Sequence, residues 1–438
     1  MLAFIAMPRH AAPAAEHASP ADASQSVADL PAETRAAVLG ESSDIAQETA
    51  ADSESDEARR RAGEVEVCGV GLVRPETLES GRDAPWAAAA ASAVERLVAR
   101  MQGEAGEQAR VTALMLKGAA DAASALTAEA LAVRHRCGSV KPCIDDAALS
   151  RPRTRSQAMG PSTEAIAKLA SSTQDPYVYA TAVEACRSNR VSGADAPSCQ
   201  LVSVEQWTRI DPTNAVPWLH LAGEARSRKD AAGVDEAMYR VATATTSRVD
   251  GARLYGEAMS RLTAEASEFE KAQVAGFVLA IVAEWQLPAY QVAVQWCAAP
   301  LLQDSNRWQA CDGAAQTLMT HPSTLLERRI ALRIGERARW PAERIARLRE
   351  EDDALAAAQS DLFSSPDPLG CGAVMRTHAF WTLAAAAGEV EAARALAKAS
   401  GKSMQTLAGE TRMSRETFAR AAASAPATPE SAAPSPAR

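Results

Sequence analysis

From about residue 84 to residue 420 the apolar positions recur at three- and four-residue steps. Tyr255, Met259 and Leu262, then Val274, Phe277, Val278, Ile281 and Trp285, show the stripe most clearly. Such spacing predicts helices that each bury one face. Asp175-Pro176, Asp211-Pro212 and Trp340-Pro341 put proline at or near a first helical turn, where its missing N–H costs nothing. Upstream, Val65-Glu66-Val67-Cys68-Gly69-Val70-Gly71 alternates apolar and polar residues and then meets two glycines, which fits one short strand or extended segment followed by a turn. No series of period-two segments follows residue 75.

Both ends lack a sustained apolar period. The sequence therefore divides into a disordered acidic, Ala- and Pro-rich segment (1–62), a short extended segment and loop (63–83), a helical-hairpin domain (84–420) and a disordered tail (421–438). Met1-Leu2-Ala3-Phe4-Ile5-Ala6-Met7 is a short apolar run without a basic flank, too short for a signal peptide. It is either a plain apolar terminus or the last turns of an N-terminal membrane tether whose start is missing.

Composition sharpens the class. The chain has 438 residues, 47% of them hydrophobic but only 4% aromatic, because alanine supplies about 100 positions. Alanine is the best helix former and a poor sheet filler, so the expected fold class is all-α. A net charge of -9 argues against non-specific nucleic-acid or anionic-membrane binding by the molecule as a whole. No run approaches the ~20 apolar residues that span a bilayer.

The most specific stretch is 198–244. Ile210-Asp211-Pro212-Thr213-Asn214-Ala215 leads into Trp218, Leu221 and Ala222, and Lys229-Asp230, Ala237 and Ala244 follow. This resembles the tetratricopeptide repeat over about one and a half repeats. The resemblance implies paired helices whose groove is filled by Trp218 and Leu221, with Ala222 and Ala237 permitting close approach. It departs from the family in an extra loop, Ala231-Ala232-Gly233, and in Ala222 where glycine is usual. Asp175-Pro176, 36 residues upstream, gives an echo; the ~34-residue family period does not carry through 250–420. The chain is also similar to helical-repeat proteins of the proteobacterial envelope, which implies no activity.

Three cysteine pairs are local: Cys137–Cys143, Cys186–Cys199 and Cys297–Cys311. The second and third flank loops between helices, where two Cα atoms can lie ~5.5 Å apart. Closing a loop of about 14 residues is worth about 3 kcal/mol in the chain-entropy model. Cys68 and Cys371 either join the extended segment to the C-terminal helices or stay free. Buried free thiols are the competing reading, and a zinc site the weakest, since no Cys-x-x-Cys occurs. Oxidised pairs would place the protein outside the reducing cytosol, in the periplasm or cell envelope; reduced ones would allow the cytoplasm.

No constellation for chemistry stands out: there is no Gly-x-Ser-x-Gly elbow, His-Glu-x-x-His pair, Walker loop or EF-hand. His220 reads as a packed or surface residue, and Glu350-Glu351-Asp352-Asp353 as a solvated charge run. Arg329, Arg333 and Arg337 lie four apart on one predicted helix face, also expected to be solvated. Trp207, Trp218, Trp285, Trp296 and Trp308 are expected in hairpin cores. Leu407 to Arg420 resembles a helix-turn-helix within residues 389–422, which implies that Ser414, Arg415, Thr417 and Arg420 face a DNA groove. Arg412 stands where that family prefers glycine.

The expectation is an irregular, tetratricopeptide-like array of antiparallel helical hairpins, stapled by disulfides. It would offer a surface to a protein or peptide partner in the cell envelope, with no catalytic residues, metal or cofactor. The alternative is DNA binding through 389–422.

Overall fold

The structure, a computed structural model, describes Arg59 and residues 63–74, 85–138, 140–191, 196–365 and 367–424. Most of the two expected disordered ends, and the loop at 75–84, lie outside the described residues. Two three-residue strands, β1 (Val65–Val67) and β2 (Gly71–Val73), pair antiparallel, with Val65 opposite Val73 and Val67 opposite Gly71. The expected single extended segment is thus a hairpin. Gly69 and Gly71 at its turn have φ of +75° and +96°, a region closed to most side chains. Gly69 also lies against the Phe269 backbone, with no room for a Cβ.

All other described elements are helical: seventeen α-helices and two short 3₁₀ turns. The first group comprises α1 (Pro85–Gln102), α2 (Glu107–Cys137), α3 (Lys141–Ala148), α4 (Arg151–Ala170), α5 (Pro176–Val191) and α6 (Val204–Ile210). The second comprises α7 (Ala215–Ser227), α8 (Ala231–Thr243), α9 (Gly251–Met259), α10 (Glu268–Val282), α11 (Tyr290–Trp296), α12 (Ser305–Thr320) and α13 (Leu325–Arg337). The last comprises α14 (Ala342–Phe363), α15 (Cys371–Ala387), α16 (Glu389–Ala399) and α17 (Met404–Ser424). Many starts are written in the local sequence. Asp175 Oδ1 accepts the N–H groups of Tyr177 and Val178 at 2.8 and 3.2 Å, and Ser267/Glu270 and Thr324/Glu327 form reciprocal capping boxes.

Three apolar cores follow the chain. One joins α1, α2, α4, α5, α6, α9 and α10 around Met101, Leu116, Ile166, Tyr177 and Leu254. The second joins α7, α8, α11, α12 and α13 around Leu219, Met238, Leu318 and Leu332. The third joins α14 to α17 around Leu355, Phe380 and Leu407. Leu221 packs against the first two cores and Trp381 against the first and third. Hairpin neighbours such as α7 and α8 pair as a helical array requires, but α10 also returns to α1, α9 to α15 and α17 to α14. In a strict solenoid each unit would touch only its neighbours.

Small residues set the spacing. A Cβ on Gly256 would sit 2.7 Å from Ala385 Cβ, where α9 meets α15, and one on Gly313 would sit 3.0 Å from the Ala242 carbonyl oxygen, where α12 meets α8. The residues Ala231-Ala232-Gly233 are not an inserted loop. They form the first turn of α8, because Asp230 Oδ1 accepts the Gly233 N–H at 2.9 Å. Trp207 and Trp296 are buried and Trp218 and Trp285 partly so, whereas Trp308 is 38% exposed, its indole N–H donating to the Ala338 carbonyl.

All eight cysteines lie in pairs. Cys186–Cys199 ties the body of α5 to the 3₁₀ turn at Pro197–Leu201, and Cys297–Cys311 ties the end of α11 to α12, with Cα atoms 5.5 and 5.7 Å apart. Cys137–Cys143 closes the α2–α3 corner at 5.6 Å, and Cys68–Cys371 joins the hairpin to the start of α15 at 4.3 Å. The unreduced protein is therefore expected to weigh eight hydrogens less than the reduced one. Replacing Cys186 and Cys199 together by serine should lower unfolding free energy by about 3 kcal/mol in a denaturant titration.

Candidate functional site

The reversal from α7 to α8 and the junction of α11 with α12 enclose an open groove of about 410 Å³. Arg226 stands on the last turn of α7. Lys229, held at φ +61°, lets the chain turn sharply, and Asp230 caps α8. Opposite, Trp296 closes α11. Its indole N–H donates to Asp235 Oδ1 at 2.6 Å, the Tyr239 ring meets it edge-on with centroids 5.7 Å apart, and the Arg307 guanidinium lies over its ring at 4.8 Å. Arg307 also donates to Asp235 Oδ1 at 3.1 Å. Trp296 is thus locked by three neighbours and by the bridge from Cys297, the next residue.

The groove has an apolar floor of Val234, Val292 and the Trp296 ring, with charges on its rim. Asp230 is engaged as a cap, and Asp235 by Trp296 and Arg307. Arg226 and Lys229 are exposed, and among the described residues no carboxylate lies within ion-pair distance of either. No histidine, cysteine thiol or serine lines the groove, so its residues are suited to holding a ligand, with cations positioned for a carboxylate beside an apolar group.

The other concentrations of polar groups are internal. Glu327 is fully buried. Its Oε1 accepts hydroxyl protons from Ser247 and Tyr290 at 2.7 and 2.8 Å, and its Oε2 accepts the N–H and O–H of Ser323 at 2.7 and 2.8 Å. His220 and Glu184 are buried together, with Nε2 3.8 Å from Oε1 and Arg187 against the other ring nitrogen. Burial pushes Glu184 up to about 7 and holds His220 well below its usual range. The histidine is therefore neutral, a packed residue. Among the described residues no group of three His, Cys, Asp or Glu side chains is placed to hold a metal ion.

The acidic run is not a solvated face, and of the arginine face Arg329 meets it while the Arg333 side chain stays 41% exposed beside Glu336. Arg328 is 4% exposed and pairs with Glu351; Arg329 donates to Asp352 at 2.8 Å, and Arg415 pairs with Asp353 at 2.7 Å. Arg394 adds a second cation to Glu351 at 2.8 Å. Arginines from α13, α16 and α17 thus neutralise the acidic run of α14. Nor does 389–422 hold a helix-turn-helix. Met404–Ser424 is one continuous helix, whose Leu407 and Ala408 bury against α14. Without glycine at 412 nothing breaks it, and Arg415 is occupied by Asp353.

Of the repeat residues expected from the sequence, Ala222 and Ala237 are fully buried between α7 and α8, while Leu221 and Trp218 are partly buried. Trp218 donates to the Pro212 carbonyl at 2.9 Å, and Arg240 lies over its ring. Lys229 and Asp230 were marked only as repeat residues and Arg226 and Arg307 had no sequence signal, since they converge only through the α7–α8 and α11–α12 turns.

No protein-family model matches the chain, and no curated protein or solved structure is significantly similar to it.

Glu184 gives a test of the internal electrostatics. It titrates near 4.5 when unfolded and near 7 when folded, so its contribution to stability is fully present below pH 4.5 and is lost as pH rises to about 7. Glu184→Gln keeps the acceptor for the Gln286 N–H. It should match the parent near pH 4 and exceed it by about 3 kcal/mol near pH 8, measured by denaturant unfolding across that range.

Proposed function

We propose that this protein is a non-enzymatic, tetratricopeptide-like component of the periplasm or cell envelope that holds a protein or peptide partner in the groove between the α7–α8 and α11–α12 hairpins. The single observation that carries the reading is the pair of exposed, unengaged cations, Arg226 and Lys229, beside a locked aromatic floor at Trp296. A partner segment that sets an apolar side chain on Trp296 and turns a carboxylate toward Arg226 and Lys229 satisfies both halves of the site. Preorganisation supports binding: Trp296 and Arg307 lose little freedom when a ligand arrives. Four cysteine pairs at bonding distance support an oxidising compartment. No helix among the described residues is long and apolar enough to cross a membrane, so attachment by a span would rest on chain outside them.

The test is calorimetry of the oxidised full chain with two sets of short peptides, alike in apolar residues but acidic or basic in charge. The acidic set should bind, and Arg226→Glu with Lys229→Glu should weaken it by about tenfold or more, the worth of a charge-assisted hydrogen bond. Equal binding of both sets, or an unchanged affinity in the double variant, would overturn the reading.

A further inference from the structure

The α2–α4 hairpin ends in a second surface, away from the groove residues. Between residues 129 and 153 the sequence carries Arg134, Arg136, Lys141, Arg151 and Arg153 against Glu129, Asp145 and Asp146, within a chain of net charge -9. All five cations are exposed, and among the described residues none has a carboxylate within ion-pair distance. Glu129 is turned inward and accepts the Ser150 hydroxyl proton, which docks the α3–α4 turn on the last turns of α2. Three large aliphatic side chains stand among the cations instead of in a core: Leu131 at 45% exposure, Val140 at 58% and Leu149 at 78%. The Cys137–Cys143 bridge closes the corner that carries Val140 and Lys141.

From this we infer that the end of the α2–α4 hairpin is a docking surface for an anionic phospholipid bilayer, with Arg134, Arg136, Lys141, Arg151 and Arg153 at the headgroups and Leu149 and Val140 inserted beneath them. Cations interleaved with exposed aliphatics are what an interfacial site needs: attraction to anionic headgroups plus apolar area to bury. The surface is the end of a hairpin, not a groove, which a flat bilayer can meet. Against a nucleic acid, the described residues of this surface include no Trp, Tyr or Phe, and the exposed His135 is the one ring on which a base could stack. An overall acidic protein can therefore bind such a membrane, but only in one orientation.

The experiment is co-sedimentation of the oxidised full-length protein with vesicles of phosphatidylcholine alone and of phosphatidylcholine with phosphatidylglycerol in equal parts, at low and high salt. Binding is expected only to the mixed vesicles, and to fall as salt shortens the reach of the charges. Arg151→Gln with Arg153→Gln should weaken it about thirtyfold, at about fivefold per cation removed. Leu149→Ser, which leaves every charge in place, should also weaken it. The groove variant Arg226→Glu with Lys229→Glu, which leaves this end untouched, should bind vesicles as the parent does. No sedimentation with the mixed vesicles, or equal sedimentation with both kinds, would overturn the inference. So would full binding by Leu149→Ser together with loss in the arginine variant and comparable retention on heparin, since that pattern describes a general polyanion site.

Discussion

An interior in which alanine is the commonest buried residue is the constraint under which this molecule is built. Alanine contributes more buried positions than any other residue in all three cores taken together. Small side chains let helices approach closely, as at Gly256 against Ala385, but each buries little apolar surface. The favourable transfer energy per helix is therefore modest, and relative helix position is weakly specified by shape alone. Something else must fix it.

Two kinds of tie do so. The first is covalent: each bridge joins two different elements or the segments that flank them. Cys68–Cys371 spans 303 residues of sequence and pins an isolated two-strand hairpin that has little core of its own. The second is polar. Glu327 gathers hydroxyls from the loop before α9 and from α11 at the start of α13, so one carboxylate fixes three elements. Asn214 does the same at the open end of the α7–α8 hairpin: its side chain accepts from Val216 and Arg248 N–H groups and donates to Asp211 and the Arg248 carbonyl. Such groups are costly to bury unless every bond is made, so wrong helix arrangements are penalised more heavily than an alanine surface would penalise them.

This division explains what could be read from the sequence. Helix starts are local, so Asp175-Pro176 announced itself, and so did cysteines spaced across a single loop. The hairpin at 65–73 was half legible, its strand period visible but its partner strand too short to stand out. The acidic run was misread because its fate depends on register between helices. Glu351, Asp352 and Asp353 look like solvent-facing acids until Arg328 and Arg394 reach the first, Arg329 the second and Arg415 the third. The likeness of 407–420 to a helix-turn-helix failed for the opposite reason. Local propensity was uniformly helical there, and a turn needed a residue that the sequence lacks. The groove was invisible because Arg226 and Arg307 come from different hairpins.

The bridges also bear on function through where they lie. Cys297 directly follows Trp296 in the groove floor, and Cys143 lies two residues beyond Lys141 at the hairpin end. Both surfaces set exposed cations beside apolar side chains, Trp296 and Val292 anchored in the second core and Val140 and Leu149 outside any core, an arrangement that a weakly specified scaffold would tend to lose. A covalent closure beside each opposes that loss. It keeps the aromatic floor upright in one case and the aliphatic tip extended in the other. The ordering cost is then met on folding and not on binding, which is how a light framework can present rigid contact surfaces.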